Sequence, residues 1–417
     1  MSGREFFTAL TVAEALAGFR PARRTAIESV TREELLHRVP ATDVLAPHAL
    51  PGFARATVDG YAVRAADTYG ASDGLPAYLE LAGAVRMGRA AQIAVPARGA
   101  VAIPTGAVIP DGADAVVMVE RTEKVGDAAV RIDVTVEVGN HVRAAGDDVA
   151  IGAEVAAAGT ELTPALVGVL ASVGAVEVAV HRRPRVGVLS TGDELIEGAG
   201  ELRPGQIRES NRQVLVPLLA EAGCEPVDLG IIRDDDAAIT AAIEGAATHC
   251  DALLTSGGVS MGDVDLVKVV LDRIATMRWM QIEIKPAKPF AFGVVAMGDR
   301  EVPVFGLPGN PVSSVVSFEL LARPALRRML GFTALGRPRV LAVADGDLRR
   351  RPDGKQHLVR VVASYGADGR VHVRNAGGQG SHQLTALAAA NGLAVLPDGD
   401  GVEAGGDVDV ILLASPS

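Results

Sequence analysis

Lysine is scarce in this chain. Of its 40 basic residues only five are lysine, and the rest are arginine. Two of the five, Lys285 and Lys288, stand three apart in Ile284-Lys285-Pro286-Ala287-Lys288-Pro289-Phe290, and Lys268 lies close upstream. Lysine offers a compact, mobile ammonium where arginine offers a flat fork. A lysine pair kept in so arginine-rich a chain points to an anion site, with Lys268 on a separate surface helix. Cysteine is scarcer still. Cys224 and Cys250 form no Cys-x-x-Cys pair and read as two buried thiols rather than a disulfide or redox couple. No apolar run approaches the ~18–20 residues that cross a bilayer. Glu5 interrupts the apolar region that a signal peptide needs, so a cytoplasmic protein is expected. An excess of positive charge is also missing. The net charge of −11 argues against a general nucleic-acid or anionic-membrane binder, but local cations can still hold a small anion.

What is present is ample apolar material. The 417 residues are 48% hydrophobic and 22% charged, enough for about three domains and too apolar for wholesale disorder. Thr11-Val12-Ala13-Glu14 and Thr31-Arg32-Glu33-Glu34 have capping-box spacing, so residues 1–46 read as mainly helical. Thr163-Pro164 marks another helix start, and residues 149–181 are expected to rejoin the first segment. Between them, residues 47–148 show short valine-rich runs broken by Gly, Pro and Asp, the texture of an inserted antiparallel β domain. Residues 182–332 alternate strands near 186–189, 227–231, 252–255, 279–284, 290–295 and 302–306 with helices near 212–222, 235–248, 263–274 and 311–330. That alternation predicts a mostly parallel, three-layer α/β domain. Residues 333–417 return to short β runs.

In open α/β sheets, ligands bind beyond the carboxyl ends of the strands. Four polar loops are expected there. They are Thr191-Gly192-Asp193-Glu194; Thr255-Ser256-Gly257-Gly258-Val259-Ser260 with Gly262 and Asp265; Lys285-Pro286-Ala287-Lys288-Pro289; and Gly306-Leu307-Pro308-Gly309-Asn310-Pro311. Paired glycines let a phosphate approach the backbone, and a following helix start favours an anion. Asn310 can cap the last helix, with Pro311 in its first position. A polyproline-like path through Pro286 and Pro289 would turn both lysines to one side.

These loops, with Glu209-Ser210-Asn211-Arg212 and Arg233-Asp234-Asp235, resemble the molybdopterin molybdenumtransferase (MoeA) family, which includes the E domain of gephyrin. The resemblance extends to Thr57–Ala62, Pro104–Ala107, Pro110–Val117, Gly146-Asp147-Asp148, Gln379-Gly380-Ser381-His382 and Ala389–Gly392. It implies a three-layer αβα molybdopterin-binding-like domain, an inserted β domain, a discontinuous helical domain and a C-terminal β domain. It also implies a Mg²⁺-dependent transferase that takes molybdate and adenylylated molybdopterin and yields molybdenum cofactor and AMP. The family is dimeric, with a composite cleft, and other enzymes of the molybdopterin pathway are possible partners. By position, functional roles pass to Asp59, Thr105, Asp148, Glu194, Asp234, Asp265, Lys285, Lys288, Pro308, Pro311, Arg360 and Ser381. Asp59, Asp148, Glu194, Asp234 and Asp265 would be catalytic, with Asp59, Glu194 and Asp265 as metal ligands. Thr191, Ser256, Gly257, Gly258, Ser260, Gly309 and Asn310 would line the anion site. Three positions depart from the family pattern: Gln281 in place of a basic residue, Ala287 in place of glycine and Glu209 in place of aspartate. A tungstate-preferring paralogue, a molybdopterin adenylyltransferase and a non-enzymatic scaffold are the alternative readings.

Overall fold

The computed structural model describes residues 9–19, 23–259 and 265–417. Its largest layer is a seven-stranded sheet in the order 9–10, 275–282, 289–297, 300–307, 252–256, 185–191, 225–232. The strands Glu225–Ile232, Arg185–Thr191, Ala252–Ser256 and Arg300–Leu307 run parallel to one another. Pro289–Met297 runs antiparallel to both strands beside it. The expected three layers follow from alternation along each strand. Val186, Val188, Leu254, Phe305 and Leu307 enter one core with Leu215, Leu219 and Val316. Leu189, Leu253, Val302 and Val304 enter the other core with Ile239, Ile243 and Leu271. Each such leucine or phenylalanine contributes roughly 1.5–3 kcal/mol by leaving water.

Helix starts obey local chemistry in several places. Asp235 Oδ1 accepts from the Ala238 amide at 2.8 Å and opens the helix Asp236–Ala247. Thr163 opens Pro164–Ser172 in the same way. The last helix of the layer runs as Pro311–Ser317, a π-helical turn Phe318–Ala322, and Arg323–Met329. Pro324 has no N–H to donate back along the helix, and the wider turn before it accommodates that loss.

The N-terminal expectation needs correction. Among the described residues only Val12–Ala17 is α-helical there, and it carries a complete capping box between Thr11 and Glu14. Thr31 makes no capping bond, and only a short 3₁₀ turn, Arg32–Glu34, follows it. Residues Ile27–Thr31 instead form a strand paired antiparallel with Glu177–His181. Val44–Leu45 pairs with Glu154–Ala156. Val30, Leu35, Leu162, Leu170, Val178 and Val180 share one core across these segments.

The intervening chain forms a six-stranded sheet in the order 115–118, 60–63, 99–103, 77–84, 129–132, 122–125. In the tail, Gln356–Tyr365, Val371–Asn375, Arg339–Ala344, Asp407–Leu412 and Gly392–Leu396 pair in sequence, and Gln356–Tyr365 also pairs with Gly392–Leu396, closing a barrel. Its edge takes a short strand from outside the tail. Ile284–Lys285 runs parallel to Gln356 and His357. The expected strand at 279–284 is therefore two pieces in two sheets: Ala275–Ile282 in the large one and Ile284–Lys285 on the barrel.

Among the described residues, no helix is long and apolar enough to cross a membrane. Cys224 and Cys250 are buried free thiols. Burial pushes the Cys224 thiol up to about 12.

Candidate active site

The segments after Thr191, Ser256 and Leu307 stand at one edge of the large sheet, where its parallel strands end. After Arg185–Thr191 the chain turns at Gly192, whose φ is 145°. A side chain there would meet the Glu194 carboxylate, which folds back over the glycine to within 2.5 Å of the position a Cβ would take. The neighbouring strand, Glu225–Ile232, is followed two residues later by Asp234. The Asp193 amide donates to Asp234 Oδ2 and the Asp234 amide to Asp193 Oδ1, both at 3.4 Å. Two acidic loops are thus tied together by long, reciprocal bonds.

The second loop begins at Ser256, which is buried. Gly257 and Gly258 have φ of 95° and 75°, a left-handed path that disfavours other residues. A Cβ on Gly258 would collide with Val267. Ser260 and Gly262 lie outside the described residues. Asp265 stands at the start of the helix Leu266–Ile274 without capping it.

Asn211 joins the second and fourth loops. Its Nδ2 donates to Ser256 Oγ at 2.7 Å and to the Gly309 carbonyl at 2.8 Å. Beside it, the buried Glu209 accepts from Ser190 Oγ at 3.0 Å and from the Arg212 amide at 2.8 Å. Neither Asn211 nor Glu209 was singled out above as a site residue. Their only sequence signal is membership of Glu209-Ser210-Asn211-Arg212. In the fourth loop Pro308 is buried, while Gly309 and Asn310 are exposed. Pro311 takes the first helical position as expected, but the Asn310 side chain makes no capping bond. The Val312 amide donates instead to the Ser381 carbonyl at 3.2 Å, so the tail satisfies part of this helix start.

The lysine segment is not a polyproline turn. Its Lys285–Pro286 bond is cis, and Ala287 has a φ of 79°. The same-side argument from a three-residue repeat therefore does not apply. Lys285 sits on the barrel edge with its ammonium 3.6 Å from the Asp353 carboxylate. Asp353 also accepts from the buried Arg350 at 2.9 Å and contacts His357 at 3.1 Å. Lys288 is exposed and has no side-chain partner among the described residues.

Arg360 requires a second correction. It is fully buried, so it presents no open anion contact. Its Nη2 donates to the carbonyls of Gly378 at 2.8 Å and Gly380 at 3.2 Å, holding the loop that carries Ser381. Among the described residues no carboxylate balances it, and burial lowers its pKa.

The remaining site residues lie elsewhere. Asp59 Oδ1 accepts from the Thr105 amide at 2.7 Å. The Thr105 amide, then its hydroxyl, hold the Asp59 carboxyl below its usual range. Asp148 is exposed in a turn whose amide donates to the Leu50 carbonyl. No hydrogen bond or ion pair joins Asp59, Thr105 or Asp148 to the four loops within this chain, among the described residues. Nor do three His, Cys, Asp or Glu residues cluster as a metal site among the described residues. Asp59, Glu194 and Asp265 of one chain therefore do not form a ready-made ligand set.

Residues 10–174 match the MoeA N-terminal region (domain I and II), residues 187–328 the probable molybdopterin binding domain, and residues 344–413 the MoeA C-terminal region (domain IV). The Haemophilus influenzae protein named molybdopterin molybdenumtransferase is 35% identical over 388 residues, covering 93% of this chain and 94% of that protein. The chain belongs to the MoeA family. Molybdopterin molybdenumtransferase 2 of Mycobacterium tuberculosis is 38% identical over 362 residues, covering 85% of this chain and 87% of that protein. The crystal structure of the Pyrococcus horikoshii MoeA protein superposes with a TM-score of 0.82 at 30% identity, covering 97% of this chain and 100% of that one. The chain is thus an enzyme of molybdenum cofactor biosynthesis, with the MoeA arrangement of a molybdopterin-binding domain between N-terminal units and a C-terminal barrel.

Proposed function

We propose that the chain transfers molybdenum from molybdate into adenylylated molybdopterin and releases AMP. The observation that carries this reading is the bonding of Asn211 to Ser256 and Gly309, which locks two glycine-bearing loops side by side at the strand ends. Backbone amides in such loops suit phosphate oxygens. Lys288, exposed, and Lys285, paired only weakly with Asp353, supply positive charge for an oxyanion. Glu194 and Asp234 stand at the ends of neighbouring parallel strands and suit the relay of protons to and from water as the phosphoanhydride breaks.

Asp59 and Thr105 lie apart from these loops in one chain, which supports a homodimer whose cleft combines both surfaces. Mg²⁺ binds through one or two carboxylates together with substrate phosphates. Glu194, with Asp59 of the partner subunit, would hold it there, and the ion would neutralise charge on the phosphates. We further propose four domains: 1–46 with 149–181, 47–148, 182–332 and 333–417. The cytoplasm is the proposed location.

Molybdate-dependent release of AMP from adenylylated molybdopterin tests the reading, with tungstate as a second arm. Lys285→Ala and Lys288→Ala should each abolish release while leaving the oligomer intact. Full activity in both would reject the assignment. Faster turnover with tungstate would reject molybdate as the substrate.

A further inference from the structure

A cavity of about 560 Å³ lies at the far end of the helix that begins with Asn211. That volume falls within the roughly 300–1,000 Å³ of small-molecule sites. Its walls come from three parts of the chain. Glu161 belongs to the N-terminal unit, Arg323 and Arg327 to the last helix of the sheet layer, and Phe332 to the connector leading into the tail. Arg183, Glu221 and His37, whose Nδ1 lies 2.9 Å from Glu161, complete the titratable lining.

The charges here do not balance. Arg323 and Arg327 are both buried. The carboxylate near Arg323 is Glu319, 3.7 Å away. Both Glu319 oxygens, however, already accept from Arg337, at 2.7 and 2.8 Å. Arg323 Nη1 donates only to the Leu335 carbonyl, at 3.3 Å, and its Nε has no hydrogen-bond partner among the described residues. Burial pushes Arg323 down to about 10, so its charge is held at a cost. Arg337 also takes Glu221, at 2.5 Å. Arg327 reaches Glu161 at 3.3 Å and lies 3.4 Å from the centre of the Phe332 ring. Arg183 is half-buried, and its guanidinium has no side-chain partner among the described residues. Three guanidinium groups, Arg323, Arg327 and Arg337, therefore share the three carboxylates Glu161, Glu221 and Glu319, Arg337 alone taking two of them, and Arg183 pairs with none among the described residues. An ion-pair network that served packing alone would match each buried cation with its own acid. This one leaves two cations short at the wall of an open space.

We propose that this cavity binds a small organic anion: one oxyanion group, phosphate or carboxylate, on a flat apolar body. The oxyanion lies between Arg183 and Arg323, where guanidinium forks match its geometry. The flat body lies along Phe332 and the small apolar residues beside it. Because the cavity joins three parts of the chain, its occupant also braces the tail against the N-terminal unit.

Calorimetric titration of the full-length protein with phenyl phosphate, benzoate and inorganic phosphate tests this. Saturable binding of phenyl phosphate or benzoate is expected, and the tighter of the two identifies the oxyanion. Arg183→Gln and Arg323→Gln should each weaken that binding roughly tenfold or more. Lys285→Ala should leave it unchanged. Arg183 makes no described side-chain bond, so its variant keeps the test valid even if Arg323→Gln does not fold. Three results would overturn the proposal: no saturable binding of any of the three anions, binding that survives Arg183→Gln, or binding lost in Lys285→Ala. Inorganic phosphate binding as tightly as phenyl phosphate would overturn the role given to Phe332.

Discussion

The Lys285 ammonium lies 3.6 Å from the Asp353 carboxylate, across the junction between the large sheet and the tail barrel. Asp353 is itself anchored by the buried Arg350, which also holds Asp398 at 2.5 Å. The lysine proposed to receive the oxyanion is therefore already paired with an acid.

Replacing Asp353 with asparagine removes that competitor. Arg350 keeps Asp398, so the barrel should stay folded, and an exposed ion pair adds little to stability. The KM for molybdate should fall roughly two- to fivefold. Initial rates across a molybdate series would show it, and a KM that rises would mean that Asp353 positions Lys285 rather than competing for it.

Ala287 carries a strain that glycine would not. Its φ of 79° is left-handed, a region that costs a residue with a Cβ about 1–2 kcal/mol. Glycine loses more freedom on folding, about 0.5–1 kcal/mol. The Ala287 methyl is also buried in the sheet core, and losing it costs about 0.8 kcal/mol, so Ala287→Gly should leave the urea midpoint nearly unchanged. Ala287→Val should lower the midpoint.

Asn211 is expected to matter more than its exposed neighbours. Asn211→Ala removes the bonds to Ser256 Oγ and the Gly309 carbonyl, at about 1–3 kcal/mol of stability. AMP release should fall with it. Asn211→Asp, which sets a carboxylate against the Gly309 carbonyl, should be worse by both measurements.

Two barrel histidines carry pH dependence of opposite sign. Hydrogen bonds to Asp345 and then Asp368 raise the His372 pKa above 6.5. Its stabilisation is therefore full below pH 6.5 and is lost as pH rises through the folded value. Burial lowers the His357 pKa below 6.5, against the pull of Asp353. His357 therefore costs stability as pH falls below 6.5, because the unfolded chain takes up the proton first. Urea titrations from pH 5 to 8 should separate the two. His372→Gln should lose stability only on the acid side, and His357→Gln should soften the acid loss. Identical pH profiles for the two variants would refute this division.

The sheet layer was legible because Val186, Leu254 and Phe305 alternate with neighbours on the opposite face, and because Asp235 and Thr163 cap helices by purely local bonds. The region around Thr31 was not. Its capping-box spacing is real, but Thr31 pairs with Glu177, and no local pattern announces a partner so distant in sequence. The strand-end loops could be placed from strand order alone. The bonds that join them could not, because Asn211 bridges residues 256 and 309 from a third segment. Arg360 misled for a similar reason. An arginine ordinarily stays near water, and its burial follows from the Gly378 and Gly380 carbonyls that the tail folds around it.

The pairing of Ile284–Lys285 with Gln356 and His357 also sets an order of events during synthesis. The strand that carries Lys285 leaves the ribosome well before the segment it pairs with. The seven-stranded sheet can assemble first, but Lys285 takes its place only when the barrel strand arrives. A nascent chain therefore leaves Ile284–Lys285 without its strand partner until the barrel segment emerges, and a chain truncated before residue 356 never forms that pairing.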